Sequence, residues 1–522
     1  MEAQIDATGL LRREGGRWLF SDARPSAADL GRIGTWPLRL KEEKGTGRFV
    51  VADRDISAGE LLFSEEPFVQ TVHDRCERTV CHVCYAPLTA VKQHGCQSCG
   101  QVRYCSKPCA SAGAAAHEAE CGVLAAIAES GNVAMQSGVR GLRLFMRLLH
   151  RAANEPSAFA AVEAMRGQYD EETPERRRFW DGMSSSINRF VPPEVRMEAG
   201  RLARLASRVH ANLYGVGDIG GVQFGSGLYA QAGSLFNHSC APSAAVSFAG
   251  RTWRLHALRV ISRGEEVCVS YTTLYASREA RREALRAKKG FWCVCQRCVA
   301  PPRVDAMLDG WRCVAEGCDD GVVSAASDCC AVCRTRHSLA PAARAAIEAR
   351  WLAAVEESDA ALLGDAATAT GGDDDMAAAA RRALPAMERV LSASAGRLCD
   401  GHALRHRARM LRCYAQSALG GGVAAKDAAA ALRECLVSME RHLPSRHPET
   451  SFVRHRLASE LWRLAVESTD SERAETRREA HLEALAAAKA LGTAYGGDHP
   501  TVRQWREDAA RMAGASYQRR KL

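Results

Sequence analysis

No run of about 18 or more apolar residues occurs in the 522-residue sequence, so no segment reads as a membrane-spanning helix. The opening stretch, "MEAQIDATGLLRREGG", is charged and lacks an apolar core, and reads as no secretory signal. An excess of one charge sign is missing as well. The formal net charge is +9, but 70 Lys and Arg are interleaved with 61 Asp and Glu. That balance permits acidic partners and offers none of the concentrated basic stripes by which nucleic-acid-binding chains are recognised. The terminal "QRRKL" puts Arg520 where a peroxisomal tail needs a small residue.

Cysteine is what the sequence has in quantity, 21 in all. Most fall at metal-ligand spacings, and with no secretory signal they read as zinc ligands in a reducing compartment. Cys81-x2-Cys84, Cys96-x2-Cys99, Cys105-x3-Cys109 and His117-x3-Cys121 supply eight ligands within forty-one residues. Each short spacing lets two side chains reach one tetrahedral ion, at about 2.3 Å for sulfur. Eight ligands make two closed, structural sites. A RING-type module is the rival, but it places its histidine mid-series, whereas His117 is the seventh ligand here. His82 and His94 break the pair spacing and read as solvated loop histidines.

A second cluster, "GFWCVCQRC", holds three thiols, Cys293, Cys295 and Cys298, and leaves a zinc one ligand short. Cys240, unpaired within "SLFNHSC", is the candidate fourth. A third cluster, Cys313-x4-Cys318 with Cys330-x2-Cys333, has zinc-ribbon spacing, and Cys329 competes with Cys330 for it. Cysteines 76, 268, 329, 399, 413 and 435 remain, and read as inert thiols.

Between the clusters the periodicity changes. Strand signals run from Trp36 through "GRFVVADRDISAGELLFSEEPFV" and return in "AAVSFAG", "WRLHAL" and "EEVCVSY". From about residue 136 to 210 the period is helical, with Leu142, Phe145, Met146 and Leu149 on one face. After the Ala/Gly/Asp-rich "GDAATATGGDDDMAAAA", Leu404, Ala408, Leu411, Ala415 and Leu419 mark one helix face, and Leu457, Leu461 and Leu464 another. His-Pro recurs at Pro448 and Pro500, where proline suits a first helical turn. Period alone leaves a TPR-like array and a plain helical bundle equally open.

In chain order "KGTGRFV", the interposed cysteine module, "SLFNHSC", "GEEVCVSY" and "FWCVCQRC" resemble the SET-MYND (SMYD-type) protein lysine methyltransferases, over roughly residues 37 to 333. The resemblance implies an α+β fold with a β-rich, threaded SET domain. Its parts are a variable extension (1–36), the N-terminal part of SET (37–80), a MYND zinc module (81–121) and a helical insert (122–210). Core SET (211–275), a post-SET and zinc-ribbon-like segment (276–335), a linker (336–380) and a TPR-like domain (381–522) follow. It also implies cross-braced metals, one zinc on Cys81, Cys84, Cys105 and Cys109 and one on Cys96, Cys99, His117 and Cys121.

As cofactor the resemblance implies S-adenosylmethionine, with zinc at three sites and a candidate fourth. Lys44, Gly45, Thr46, Gly47, Asn212, Ser234, Asn237, His238, Tyr271 and Phe291 are the implied cofactor contacts. Tyr271 is the implied catalytic residue, set at the transferred methyl. Each has a plainer reading: Phe291 as core, the glycines as a hairpin turn, Tyr271 as a strand tyrosine. Lys289 stands where many family members place a second channel tyrosine: either a cation there repels a substrate ammonium or changes the product state, which favours the non-catalytic reading below, or Tyr275 or Trp292 lines the channel instead. "GAAAH" lacks the tryptophan often found before the MYND histidine, and Ser243 replaces the usual Asn.

The implied activity is methylation of lysines in histone or non-histone proteins. The competing reading is a non-catalytic scaffold, with MYND taking proline-rich peptides, the helices an acidic chaperone tail, and SET kept as a frame. A nucleic-acid-binding zinc protein ranks behind both. A monomer of cytoplasm and nucleus, off the membrane, is expected.

Overall fold

Alternation along "LRLKEE" buries Leu38 and Leu40 and leaves Arg39 and Lys41 on the wetter face, as a strand covered on one side requires. The computed structural model describes residues 12–514, except 15–16, 20–30, 44–46, 90–92, 132–138, 218–222, 232, 301–304, 326, 367–372, 421, 445 and 469. The chain divides into two compact units. The first comprises residues 1–237, 246–269 and 288–290; the second comprises 238–245, 270–287 and 291–522.

Small antiparallel sheets make up the β part of the first unit. Leu38–Glu43 pairs with Gly47–Ala52, setting Leu38 opposite Ala52 and Leu40 opposite Val50. Gly31–Arg32 pairs with the other edge of Leu38–Glu43. The extension expected to end at residue 36 therefore joins this sheet, anchored by fully buried Ile33. Leu61–Glu65 pairs with Thr252–Ala257, and Gln223–Leu228 lies between Leu213–Gly217 and Val69–Val72. Gly225 has no room for a side chain: a Cβ there would sit 2.2 Å from the Thr71 carbonyl and 2.8 Å from the Tyr85 ring.

The "EEVCVSY" stretch does not form a ladder strand. It pairs one residue at a time with different segments: Val267 N–H donates to the Val50 carbonyl at 2.8 Å, and Val269 N–H to the Asn237 carbonyl at 2.9 Å. A thread passing between two segments leaves no single partner to register against.

The insert is helical as expected. Val139–Asn154 buries Phe145, Met146 and Leu149, with Leu142 partly covered, against a core shared with Val162, Leu202, Leu205 and Leu228. Pro156 and Pro174 open further helices at their first turns, where the missing N–H costs nothing.

Among the described residues of the second unit, seven helices follow the last cysteine cluster, each packed on the next. Pro448 and Pro500 start Pro448–Glu467 and Pro500–Met512. Leu404, Ala408, Leu411 and Ala415 are buried as the periodicity predicts, while Leu419 is exposed at its helix end. The linker expected over 336–380 is not one: Pro341–Ala366 is a helix, and Asp373–Ser394 begins within that range. Its alanine-rich sequence hides a real stripe, in which Val355 and Leu362 are buried and Ile347 and Trp351 partly so.

Candidate metal centres and active site

Among the described residues four donor sets form, each with its ligand atoms within 4.8 Å of one another. In the first unit Cys81, Cys84, Cys105 and Cys109 make one, and Cys96, Cys99, His117 and Cys121 another, the cross-braced pairing implied above. In the second unit Cys240 joins Cys293, Cys295 and Cys298, and Cys313, Cys318, Cys330 and Cys333 form the fourth, with Cys330 rather than Cys329. Sulfur separations of 3.6 Å for Cys84–Cys105, Cys96–Cys121 and Cys240–Cys298, and 3.5 Å for Cys313–Cys333, are telling. Zinc–sulfur bonds of about 2.3 Å in a tetrahedron give an edge of about 3.8 Å. The thiols are free rather than disulfide-bonded. Donor chemistry and spacing both fit zinc.

The MYND-type histidine has a partner that the spacing could not reveal. His117 Nε2 lies 3.5 Å from Cys99 Sγ, on the metal side, and Nδ1 meets Glu120 Oε1 at 3.4 Å. A carboxylate behind a metal-bound imidazole fixes its ring and tautomer. Glu120 is wholly buried and also accepts from Arg147 (2.6 and 2.9 Å) and Arg143 (3.1 Å). Burial alone would raise its pKa, but the two guanidiniums hold it far below the usual carboxylate range. Arg147 also donates to the Gln70 carbonyl at 2.7 Å, tying the zinc module to the Val69–Val72 strand.

His82 corrects the sequence reading. It is buried, not solvated: Arg143 donates to its Nδ1 at 3.1 Å, and its Nε2 donates to the Glu77 carbonyl at 2.9 Å. Burial, then Arg143, lowers its pKa to about 3. His94 is exposed on a short strand, as expected.

Of the residues singled out for the cofactor, Lys44, Gly45 and Thr46 lie outside the described residues. Gly47 adopts φ +77°, a left-handed conformation natural to glycine, with open space where a Cβ would stand. Asn237 donates to Glu266 Oε1 at 3.0 Å and to the Arg48 carbonyl at 3.4 Å, which sets it beside the "KGTGRFV" strand. Asn212 turns its amide onto the Arg166 and Arg208 carbonyls, both at 2.8 Å. The half-buried Ser234 hydroxyl has no hydrogen-bond partner among the described residues. Glu65, which the sequence did not single out, organises this loop. Its buried carboxylate accepts the N–H groups of Gln231 (2.7 Å) and Gly233 (2.9 Å), just before "SLFNHSC". An acid at an inward strand position, alternating with Phe63, was the available signal.

In the second unit the three expected rings come together. The His238 ring centroid lies 5.5 Å from that of Tyr271 and 6.2 Å from that of Phe291, and the Tyr271 and Phe291 centroids are 6.5 Å apart. His238 Nδ1 accepts the Tyr271 backbone N–H at 3.0 Å, and Nε2 lies 3.2 Å from Cys240 Sγ. Burial lowers its pKa to about 4, so the ring is neutral near pH 7. Beside the cluster, fully buried Arg281 binds Asp305 at 2.6 Å and lies 3.9 Å from Cys298 Sγ.

The residues proposed to replace a channel tyrosine do other work. Tyr275 is buried and donates to the Gly401 carbonyl at 3.0 Å, its ring centroid 4.1 Å from that of His406. Trp292 is half exposed, with the Arg282 guanidinium 5.2 Å from its ring centroid. In the first unit Lys289 donates its ammonium to the Ala211 carbonyl at 2.6 Å, in the last turn of Ala199–Asn212. That turn's carbonyls lack helical donors, and a cation there is favourable.

Compared with known proteins, a SET domain family model matches residues 47–272. The chain is 26% identical over 268 residues to N-lysine methyltransferase SMYD2 of Sus scrofa, covering 51% of this chain and 61% of that protein. It is 27% identical over 292 residues to histone-lysine N-methyltransferase SMYD3 of Mus musculus, covering 53% and 67%. With histone-lysine N-methyltransferase ASHR1 of Arabidopsis thaliana it shares 25% over 285 residues, covering 52% and 58%. The match thus spans about three fifths of the length of these curated relatives. The SET domain match over 47–272, the two cross-braced metal-donor sets interposed in it, and lysine-methyltransferase relatives in animals and a plant together support the resemblance to the SET-MYND lysine methyltransferases.

Proposed function

We propose that the chain is an S-adenosylmethionine-dependent protein lysine N-methyltransferase acting on histone or non-histone lysines. The observation that carries the reading is the His238–Tyr271–Phe291 ring cluster, at the residues the motif singles out. The main-chain N–H and C=O of His238 have no hydrogen-bond partner among the described residues, so they are free to receive a ligand. In the first unit, open left-handed Gly47 and the unpartnered Ser234 hydroxyl are among the proposed cofactor contacts. Lys44, Gly45, Thr46, Asn212, Asn237 and Phe291 complete the proposed contacts.

When bound, the cofactor supplies an electrophilic methyl group on a sulfonium. The chain's own residues must align the attacking amine and keep it neutral, against a free lysine pKa of about 10.4. A dry channel disfavours the ammonium and lowers that value. The Tyr271 hydroxyl is the proposed acceptor for weak CH···O contacts from the methyl. His238 is not a base here, because one ring nitrogen holds the Tyr271 N–H and the other faces Cys240. The capped ammonium of Lys289 removes the main reason to favour a non-catalytic scaffold.

Partners follow as part of the same proposal. In the first unit a cavity of 280 Å³ bounded by Phe68, Val83, Tyr104 and Ala112 suits a proline-rich peptide at the MYND module. In the second, a cavity of 910 Å³ carries Arg405, Arg409, Arg433 and Arg441, which suits an acidic chaperone tail. Among the described residues no helix is long and apolar enough to cross a membrane, and we place the protein, as a monomer, in cytoplasm and nucleus.

Two measurements test the reading. Calorimetry should show saturable S-adenosylmethionine binding that Asn237→Ala weakens by about tenfold, the scale of one lost charge-assisted or buried hydrogen bond. A labelled-methyl assay on a lysine-peptide library should lose most of its signal in Tyr271→Phe. Absence of binding heat would end the enzyme reading, and undiminished turnover would remove Tyr271 from it.

A further inference from the structure

We propose that His238 is a positioning residue through which metal occupancy of the Cys240–Cys293–Cys295–Cys298 cluster sets the backbone of Tyr271. The inference rests on the proposed function only in what Tyr271 is for; the coupling itself stands on four atoms and two contacts.

A ring nitrogen that accepts a hydrogen bond carries no proton. His238 Nδ1 accepts the Tyr271 N–H at 3.0 Å, so in the neutral ring the single proton belongs on Nε2. That nitrogen lies 3.2 Å from Cys240 Sγ, within reach of an N–H···S bond. Cys240 is fully buried, and its sulfur is 3.6 Å from Cys298 Sγ in a four-thiol set that fits zinc. A metal held by the four thiols would fix the Cys240 sulfur and with it the imidazole nitrogen that rests on that sulfur, so that the opposite ring nitrogen stays aimed at the Tyr271 amide.

The surroundings favour the same arrangement. Arg281 and Arg297 both bind Asp305, and Arg297 Nη1 donates to the Cys240 carbonyl at 3.2 Å. These cations stand beside a cluster that, loaded, carries two net negative charges. The Cys240 backbone N–H also donates to Cys295 Sγ at 3.3 Å, so the peptide leading from His238 is pinned to the same cluster. A zinc site that would otherwise only staple the chain is thus wired to the phenol-bearing residue through one imidazole.

The test follows hydrogen exchange of the Tyr271 amide in the full-length zinc-loaded chain, with no methyl donor or peptide present. His238→Ala should speed that exchange about tenfold or more while zinc content stays unchanged. His238→Asn, whose Oδ1 stands near the Nδ1 position, should restore most of the protection. Cys240→Ser should lose one zinc and lose the protection as well. Cys333→Ser should lose one zinc from the other cluster and leave Tyr271 protected. Exchange at Tyr271 that ignores both His238→Ala and Cys240→Ser would overturn the coupling. Should His238→Ala fail to fold, stripping and restoring metal in the unaltered chain decides the matter: protection must leave and return with zinc. Because no methyl transfer is read, a chain that transfers no methyl yet shows this response overturns the proposed function and keeps the coupling; an active chain without the response does the reverse.

Discussion

Glu120 shows how much one buried carboxylate can be asked to do. It receives two arginines and the outer nitrogen of a zinc-ligating histidine, with none of its surface exposed. Removing one member of such a set leaves uncompensated buried charge, at a cost of about 3–5 kcal/mol. Losing a partner behind a metal-bound histidine weakens metal affinity by about 10- to 100-fold. Glu120→Gln is accordingly expected to destabilise the first unit by that amount and to lower zinc content by one per chain under mild chelation. Denaturant titration with metal analysis reads both. Unchanged zinc retention would show that His117 does not need its carboxylate.

The same residue marks where reading the sequence stops. Cysteine spacings are local, so the four donor sets were legible down to the unexpected partner of Cys240, whose lack of a nearby thiol was itself the signal. Glu120, Arg143 and Arg147 look like ordinary charges on amphipathic helices. Their pairing depends on two helices meeting across the module, which no short-range pattern encodes. His82 was misread for that reason: its neighbour Arg143 lies sixty-one residues along the chain. Glu65 was legible in principle, as an acid at an inward strand position, but what it holds is a loop 166 residues away.

At the scale of elements, turn chemistry and helix starts were readable, and alanine-rich composition was misleading. Pro448 and Pro500 open helices where proline is tolerated, whereas Pro341–Ala366 was taken for a linker because small residues mask its apolar stripe. Two elements make predictions of their own. Gly321, inside the fourth cluster, has Cys318 Sγ 2.4 Å and Cys330 Sγ 2.9 Å from where a Cβ would be. Gly321→Ala must displace ligand sulfurs, so metal analysis should find one zinc fewer, with the other three sites intact. Full zinc content in that variant would mean that the cluster is looser than its spacing.

The second element is the Pro448–Glu467 helix, whose N-cap is His447. His447 is 8% exposed, its Nδ1 has no partner among the described residues, and burial, then Arg297, lowers its pKa from 6.5 to about 4. The unfolded chain therefore binds a proton at this residue that the folded one refuses between those values. Its contribution to stability is complete above pH 6.5 and is lost as pH falls through about 4, on the order of 3 kcal/mol in all. His447→Asn places a favoured N-cap residue where the His447 side chain makes no capping bond, and it removes the titration. Urea unfolding of the helical unit from pH 7 to 4 should lose that portion of its pH slope in the variant, and equal slopes would reject His447 as its source.

Across the whole molecule the zinc module and the C-terminal helices hold themselves together by different means. The zinc module of residues 81–121 has little core apart from its ligands, chiefly Val83, Val102 and Tyr104. So small an apolar core cannot offset chain entropy unaided, and metal binding supplies the difference. The helices beyond residue 341 bury Val355, Met387, Leu432, Leu457 and Leu491, among many others, and hold no metal-donor set among the described residues. Full-length protein should contain four zinc per chain, and its thermal unfolding should not be a single two-state transition. Strong chelation is expected to abolish the transition belonging to the zinc modules while most of the helical circular dichroism, which the last seven helices dominate, survives to nearly its original temperature. Metal analysis and calorimetry on one sample read both halves of this. A single transition that collapses together with the helical signal when zinc is removed would mean that the helical unit borrows its stability from the metal clusters, and that burial alone does not sustain it.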